Sequence, residues 1–205
     1  AQIVKKLHEL NVEFNEELQK HIKNIVPKLE KNRGYRGRGG DRVREEACNV
    51  IHAFCTAKFT VSDKGVDRFQ QTIDENLRIA QEFVQDAALN ALRALSRNYY
   101  DHMTDQDVAA QRCKNVTLKW CGELRKEIIA SVTRGYSRGL GALSKNLVVP
   151  HLKEVVDTLI QKSLITEKED TRDYETRKFC CIALADLVEN IGVGDKYDYQ
   201  WSPHE

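Results

Sequence analysis

Apolar residues recur along this chain at the three- and four-residue spacing of helices that bury one face. One phrase of this kind occurs four times, and its large apolar positions coincide when the copies are aligned. The copies are 43–55 (VREEACNVIHAFC), 84–96 (VQDAALNALRALS), 132–144 (VTRGYSRGLGALS) and 176–188 (TRKFCCIALADLV). Successive copies therefore begin 41, 48 and 44 residues apart. A period of about 40 to 47 residues with one apolar helix in each period is typical of HEAT-type helical repeats.

Four further amphipathic stretches separate the recurring helices. In the first, apolar residues from Ile3 to Leu29 advance by threes and fours, which predicts one helix of almost eight turns, or about 27 residues. Pro27 is expected to bend or weaken the last turn of that helix. The other three stretches begin near residues 64, 108 and 150.

These alternating elements predict an all-α fold, a HEAT/armadillo-like solenoid of about four antiparallel helix pairs. The pairs are expected at roughly 1–56, 62–100, 105–147 and 149–191. Because no Pro/Gly/Ser-rich linker separates them, residues 1–192 are predicted to form one domain, with 193–205 as a tail. The chain begins with a helix already in phase, so we expect it to be a fragment of a longer solenoid. Solenoids present extended surfaces to other proteins, and function is therefore expected on a surface.

Composition narrows the class of partner. The formal net charge of the 205 residues is only +1, which argues against nonspecific nucleic-acid binding by the whole chain. No apolar run has the length of a membrane span, and the amino-terminal stretch is charged and amphipathic, so a cytoplasmic protein without a membrane partner is predicted. The six cysteines lie within apolar helical patterns without a CxxC pair, which predicts buried, reduced thiols.

An enzyme is the weaker class for this sequence. It contains no phosphate-binding loop of the GxxxxGK[ST] type and no GxSxG nucleophile motif. Asp101, His102 and Asp105 resemble metal ligands, but a polar loop in which Thr104 or Asp105 caps the next helix is the preferred interpretation. We accordingly predict no catalytic residue, no cofactor and no metal.

A loop rich in glycine and arginine, 32–40 (NRGYRGRGG), precedes the first recurring helix. Residues 31–44 carry six basic side chains and one acidic side chain, a local charge of +5. Glycine alone would make this loop a helix terminator. Its Arg and Tyr side chains also suit docking to an acidic protein surface or, as the alternative, RNA bases and phosphates. The candidate residues of the loop are Arg33, Tyr35, Arg36 and Arg38.

The third recurring helix is unusual because glycines replace larger residues at 135, 139 and 141. Each glycine costs about 1 kcal/mol of helix stability relative to alanine, so we predict the close approach of a neighbouring helix. Arg134 and Arg138 are four residues apart and are expected to share the opposite, exposed face. There they would extend the basic surface that begins in the loop at 32–40.

Several segments, taken in order, resemble the carboxyl-terminal region of the tubulin-folding cofactor D family, also called tubulin-specific chaperone D. The resemblance extends from about residue 33 to residue 193. The segments that carry it are 35–55 (YRGRGGDRVREEACNVIHAFC), 67–77 (DRFQQTIDENL), 84–100 (VQDAALNALRALSRNYY), 133–148 (TRGYSRGLGALSKNLV) and 176–193 (TRKFCCIALADLVENIGV). Within them, the family pattern is matched most closely at Tyr35, Arg36, Gly37, Gly40, Arg134, Gly135, Gly139 and Gly141.

The resemblance implies a chaperone scaffold and not an enzyme. Members of the family hold β-tubulin, assemble with tubulin-folding cofactors E and C and an ADP-ribosylation-factor-like small GTPase, and promote assembly and disassembly of the α/β-tubulin dimer. In that assembly they help to stimulate GTP hydrolysis, and the hydrolytic site belongs to tubulin. A cytoplasmic, cytoskeleton-associated protein is therefore expected. Because tubulin surfaces are acidic, the basic loop together with Arg134 and Arg138 forms the predicted docking patch.

Overall fold

The computed structural model describes residues 1–10, 12–31, 34–126, 129–164 and 173–192. These residues form helices joined by turns and short connections, with no strand among them. The all-α prediction is thus confirmed. Arg33 and the predicted tail 193–205 lie outside the described residues.

Twelve α-helices follow one another in the described parts of the chain. They are α1 (Gln2–Glu9), α2 (Glu16–Lys23), α3 (Ile25–Lys31), α4 (Gly40–Thr56), α5 (Asp63–Leu77), α6 (Glu82–Asn98), α7 (Gln106–Cys113), α8 (Lys119–Lys126), α9 (Ala130–Ala142), α10 (Lys145–Val148), α11 (Leu152–Ser163) and α12 (Tyr174–Ile191). A π-helical turn, Lys114–Leu118, joins α7 to α8, and single 3₁₀ turns occupy Tyr100–His102 and Val149–His151.

The amino-terminal region is three short helices, α1 to α3, so the prediction of one long helix there was wrong. Two local features explain the breaks. Asn15 caps α2, since its side chain accepts a hydrogen bond of 2.8 Å from the backbone N–H of Leu18. Pro27 has no N–H to donate to the carbonyl four residues earlier, and α2 accordingly ends at Lys23.

The four recurring helices are α4, α6, α9 and α12, and contacts between α4 and α6 show that these two run parallel. Near their amino ends, the Arg42 guanidinium lies 4.3 Å from the ring centre of Phe83. Just beyond their carboxyl ends, the Tyr99 hydroxyl donates a hydrogen bond to the Phe59 carbonyl. The amino ends of α4 and α6 therefore lie together, and so do their carboxyl ends. The contacting residues are about 40 positions apart in the sequence.

The same parallel register joins α6 to α9. The Gln85 side chain, in the first turn of α6, donates a 2.9 Å hydrogen bond to the Ser131 carbonyl at the start of α9. At the other end, the backbone N–H of Ser144 donates to the Ser96 hydroxyl at 3.1 Å. These partners are 46 and 48 residues apart, which agrees with the spacing of the repeated phrase.

Between α9 and α12 the backbones approach closely, again in parallel. A Cβ atom added to Gly141 would lie 2.7 Å from the Cα of Ala183, which no side chain tolerates without a shift. At the start of both helices, Arg134 donates a 2.7 Å hydrogen bond to the Asp173 carboxylate. The recurring helices therefore form one row in the order α4, α6, α9, α12.

The other two glycines of α9 face the preceding helices. A Cβ at Gly135 would lie 1.8 Å from the Leu77 carbonyl oxygen, and one at Gly139 would lie 2.8 Å from the Trp120 ring. The prediction that these glycines allow close packing is confirmed. The core runs along the row, and its largest fully buried side chains include Trp120, Tyr100, Tyr136, Phe54 and Ile51.

The cysteines are free thiols, as predicted, but they are not all buried. Cys48, Cys55, Cys113, Cys121 and Cys180 are buried, whereas Cys181 is exposed on α12. Two adjacent cysteines on a helix point about 100° apart, so only one of them can face the core.

Candidate partner-binding surface

The Gly/Arg turn, residues 34–39, owes its shape to its glycines. Gly37 and Gly39 have φ values of 84° and 85°, a region that residues with a Cβ rarely adopt. Gly40 begins α4, and a Cβ there would lie 2.1 Å from the Tyr35 carbonyl oxygen. The turn is therefore a defined structure that orients the side chains it carries.

Tyr35 is committed to the fold. The guanidinium of Arg44 lies 4.5 Å from the centre of its ring, a cation–π distance. Arg44 also donates a 3.3 Å hydrogen bond to the side-chain oxygen of Asn76 on α5. Tyr35 is half-buried, and one face of its ring is covered by Arg44. Tyr35 thus anchors the Gly/Arg turn to α4, and that face is not available to stack on a nucleobase.

Arg36 and Arg38 are the exposed cations of the turn, and neither makes an ion pair with any described residue. Arg42 is also largely exposed, but it donates a 2.9 Å hydrogen bond to Glu45 one turn along α4. Glu45 neutralises part of the local positive charge. Arg36 and Arg38 therefore form the candidate patch, which we call the Arg36/Arg38 patch.

Arg134 is not a free surface cation. Its side chain is 30% exposed and forms ion pairs with Asp173, at 2.7 Å, and with Glu175. The hydrogen bond to Asp173 raises the pKa of Arg134 above its usual value. Burial raises the pKa of Asp173, but hydrogen bonds from Arg134 and Thr176 outweigh it and hold that pKa below its usual value. The prediction that Arg134 lies on an exposed face was therefore wrong.

Arg138 is engaged in the same way. Its side chain is only 15% exposed, forms an ion pair with Asp86 on α6, and lies 4.6 Å from the ring centre of Phe179 on α12. Arg138 thus bridges three helices of the row. The predicted extension of the basic surface by Arg134 and Arg138 was wrong, because acids from neighbouring repeats neutralise both side chains.

A second cationic surface escaped the sequence analysis. A cleft of about 200 Å³ lies at the carboxyl-terminal ends of α6, α9 and α12. Arg97 and Lys145 on its rim are exposed and make no ion pair with any described residue, while Arg93 donates a 3.1 Å hydrogen bond to Asp186. The cleft is lined by Arg93, Ser96, Arg97, Asp101, Ala142, Leu143, Ser144, Lys145 and Asn190.

The sequence positions of Arg97 and Lys145 relative to the repeated phrase could have predicted that the two side chains lie close together. Each directly follows the last residue of a repeated phrase, the second copy for Arg97 and the third for Lys145. Because the row is parallel, equivalent positions of neighbouring copies lie side by side. Arg97 also lies in the last turn of α6, where the helix dipole favours a cation without an acidic partner.

The other chemical candidates serve the structure. Asp105 caps α7, accepting hydrogen bonds from the backbone N–H groups of Asp107 and Val108, as predicted. Asp101 accepts a 2.5 Å hydrogen bond from the Ser144 hydroxyl. Within the parts of the chain that the structure describes, no group of three His, Cys, Asp or Glu side chains is arranged to hold a metal ion.

The buried thiols are poor nucleophiles. Burial raises the pKa of Cys48 and of Cys55 to about 12, so both remain protonated near neutral pH. Cys48 stays protonated although the nearby Arg44 lowers its pKa. These two cysteines are therefore core residues.

No family model and no solved structure matches this chain. Among the described residues, no helix combines the length and the apolar character that crossing a membrane requires. Function is therefore best argued from the row of helices and its charged surfaces.

Proposed function

We propose that this chain is part of a HEAT/armadillo-like solenoid that works as a tubulin-folding cofactor of the D type. In this proposal it is a chaperone scaffold and not an enzyme. It binds β-tubulin or the α/β-tubulin dimer, with tubulin-folding cofactors E and C and an ADP-ribosylation-factor-like small GTPase as further partners. It acts in the cytoplasm in association with the cytoskeleton, and tubulin supplies the site of GTP hydrolysis.

The observation that carries the scaffold proposal is the parallel register of the four recurring helices. Hydrogen bonds and ion pairs join equivalent parts of successive copies, at separations of 39 to 48 residues. Stacked repeats of this kind are built to present extended surfaces to other proteins. Cross-helix pairs such as Arg138 with Asp86 hold the helices in place, which lowers the entropy lost when a partner binds.

Charge supports an acidic partner. The Arg36/Arg38 patch and the rim pair Arg97 and Lys145 are exposed cations that form no ion pair with any described residue. Arginine forks match carboxylates, and long-range attraction raises association rates at low ionic strength. The family resemblance suggests tubulin as the partner, and the acidic surface of tubulin has the complementary charge.

The first test is to mix the chain with α/β-tubulin and follow complex formation by analytical ultracentrifugation at low and moderate salt. We expect a salt-sensitive complex that Arg36→Glu/Arg38→Glu weakens about tenfold or more, because two attractive charges become repulsive. The matched control is Lys114→Glu/Lys153→Glu, which makes the same change in net charge at exposed positions elsewhere. An equal loss in both variants would point to net charge alone and remove the Arg36/Arg38 patch.

A parallel variant, Arg97→Glu/Lys145→Glu, tests the cleft at the carboxyl ends of the helices. If this variant alone loses tubulin, the docking site lies in the cleft. Absence of any complex with unaltered protein would contradict tubulin binding by these residues. It would leave the scaffold to be tested against cofactors E and C and the small GTPase by the same method.

RNA was the alternative partner of the Gly/Arg turn, and the geometry does not favour it. Arg44 covers one face of the Tyr35 ring, so that face cannot stack on a base. An electrophoretic shift of single-stranded RNA at low salt, lost with Arg36→Glu/Arg38→Glu, would nevertheless revive this alternative.

A further inference from the structure

Among the described residues, the final helix of the row is α12, and one of its faces is apolar and exposed. Only five of its 18 residues are buried, whereas ten are buried in α6. The exposed side chains repeat at helical spacing and form a stripe along the helix. This α12 stripe consists of Tyr174, Cys181, Ile182, Ala185 and Val188, and Val188 is 60% exposed.

The α12 stripe lies on the face of α12 that is equivalent to the face with which α9 packs against α12. On α9, the Ser137 hydroxyl and the Gly141 backbone contact α12. The third and fourth copies of the repeated phrase begin 44 residues apart, so the corresponding positions of α12 are Cys181 and Ala185. This face of α12 therefore continues the packing surface of the row, and its small and medium side chains suit the close approach of another helix.

Charged residues next to the α12 stripe indicate which helix could pack against it. Lys178 lies in the amino-terminal half of α12 and Glu189 in the carboxyl-terminal half, and both are exposed without an ion pair to any described residue. Two α12 helices packed parallel would bring like charges together. Packed antiparallel, they would pair Lys178 of each copy with Glu189 of the other. We propose that a second copy of this chain docks on the α12 stripe, forming a twofold dimer of antiparallel α12 helices.

The register follows from the charge pairing. When Lys178 is opposite Glu189, Ile182 is opposite Ala185 of the second copy, so a large side chain meets a small one. With a rise of 1.5 Å per residue, the two Cys181 positions are then about 7.5 Å apart along the helix axis. One helix pair buries less surface than a typical stable interface, so the dimer is weak and its population depends on protein concentration.

The first experiment is sedimentation equilibrium of the chain from about 5 to about 500 µM, a range suited to a small interface. We expect monomer at the low end and dimer at the high end. Val188→Asp should weaken dimerisation about tenfold or more, because it places a carboxylate in the apolar contact. Ile3→Asp is the matched control, since Ile3 is 75% exposed on α1, away from the stripe, and dimerisation should not change.

A charge swap tests the antiparallel arrangement. Lys178→Glu alone and Glu189→Lys alone should each weaken the dimer about threefold to tenfold, because each change turns two symmetry-related attractions into repulsions. The double variant Lys178→Glu/Glu189→Lys should restore wild-type association. A double variant as weak as the singles would overturn the antiparallel pairing.

Cys181 supplies an independent measurement. A short bismaleimide should link two copies through Cys181, since the other five thiols are buried and the two Cys181 side chains lie near the twofold axis. Cys181→Ser should abolish the covalent dimer, and Val188→Asp should reduce its yield. Circular dichroism and thermal melting of each variant confirm that the fold is retained. A chain that stays monomeric over the whole concentration range, or a dimer unaffected by Val188→Asp, would overturn the proposal.

Discussion

Two parts of this chain, α9 and the Gly/Arg turn, combine arginine with glycine, and these residue types have opposite structural roles in the two places. In α9, Arg134 is paired with acids of the last repeat and Gly135 is pressed against the Leu77 carbonyl. In the Gly/Arg turn, the cations at 36 and 38 are unpaired among described residues, and the glycines at 37 and 39 have open space around them. Residue type alone does not decide whether an arginine serves the fold or remains available to a partner.

The two sets of glycines differ in their physical reason. Gly135 is required because another backbone occupies the space of its missing Cβ, whereas Gly37 and Gly39 are required because their φ values are positive. The first reason is a contact between repeats and the second is local. Substitutions at the two places should therefore differ in magnitude, which tests the comparison directly.

The largest effect is expected for Gly135→Ala. The added Cβ would lie 1.8 Å from the Leu77 carbonyl oxygen, so α9 must shift away from α5. We expect a loss of about 3 kcal/mol in the free energy of unfolding, measured by urea denaturation. Gly122→Ala in α8 is the matched control, because nothing lies within 4 Å of its Cβ position, and it should gain about 0.5 to 1 kcal/mol. Equal effects at the two positions would contradict the close approach of α9.

The next largest effect on stability distinguishes the paired Arg138 of α9 from the unpaired Arg36 of the Gly/Arg turn. Arg138→Leu should cost about 2 kcal/mol, because it removes both the ion pair with the half-exposed Asp86 and the cation–π contact with Phe179. Arg36→Leu should change stability by less than about 0.5 kcal/mol. Urea denaturation of both variants measures the difference. A cost at Arg36 as large as that at Arg138 would show that the Gly/Arg turn depends on its arginines for stability.

Gly37→Ala should have a smaller effect than Gly135→Ala. Its φ of 84° costs a residue with a Cβ about 1 to 2 kcal/mol, and no atom clashes with the new methyl group. Thermal melting and urea denaturation should both place this variant between Gly122→Ala and Gly135→Ala. A neutral substitution would mean that the Gly/Arg turn readily changes conformation.

The sequence predicted the row of helices because the signal repeats. One apolar pattern occurs four times, and the structure places equivalent positions side by side. The close approach at the glycines of α9 was also predictable, since glycine in a helix otherwise lowers stability. Both predictions rest on the spacing of residue types along the chain, which a sequence records directly.

The ion pairs of Arg134 and Arg138 were not predictable from the spacing of residues along the chain. Helical periodicity tells which face of α9 carries them, but their partners Asp173 and Asp86 lie 39 and 52 residues away. Knowing which acids reach that face requires the lateral offset between helices. The helix boundary at Asn15 was not predicted for a different reason. The apolar spacing continues past Asn15 without interruption, so the sequence pattern indicated one helix although Asn15 caps a new one.

The smallest effect concerns the pH dependence of the α9–α12 contact. The folded-state pKa of Asp173 lies below its ordinary value of 3.8, because hydrogen bonds from Arg134 and Thr176 outweigh the effect of burial. The carboxylate therefore stabilises the fold above about pH 4, and this contribution is lost as pH falls through the folded-state pKa. Asp173→Asn should lower stability by about 1 kcal/mol at pH 6, and its stability should depend less on pH between about 4 and 3 than that of the wild type. Urea denaturation at each pH measures both slopes. Parallel slopes would mean that Asp173 does not link α12 to Arg134, and the contrast between the paired arginines of α9 and the unpaired arginines of the Gly/Arg turn would then rest on Arg138 alone.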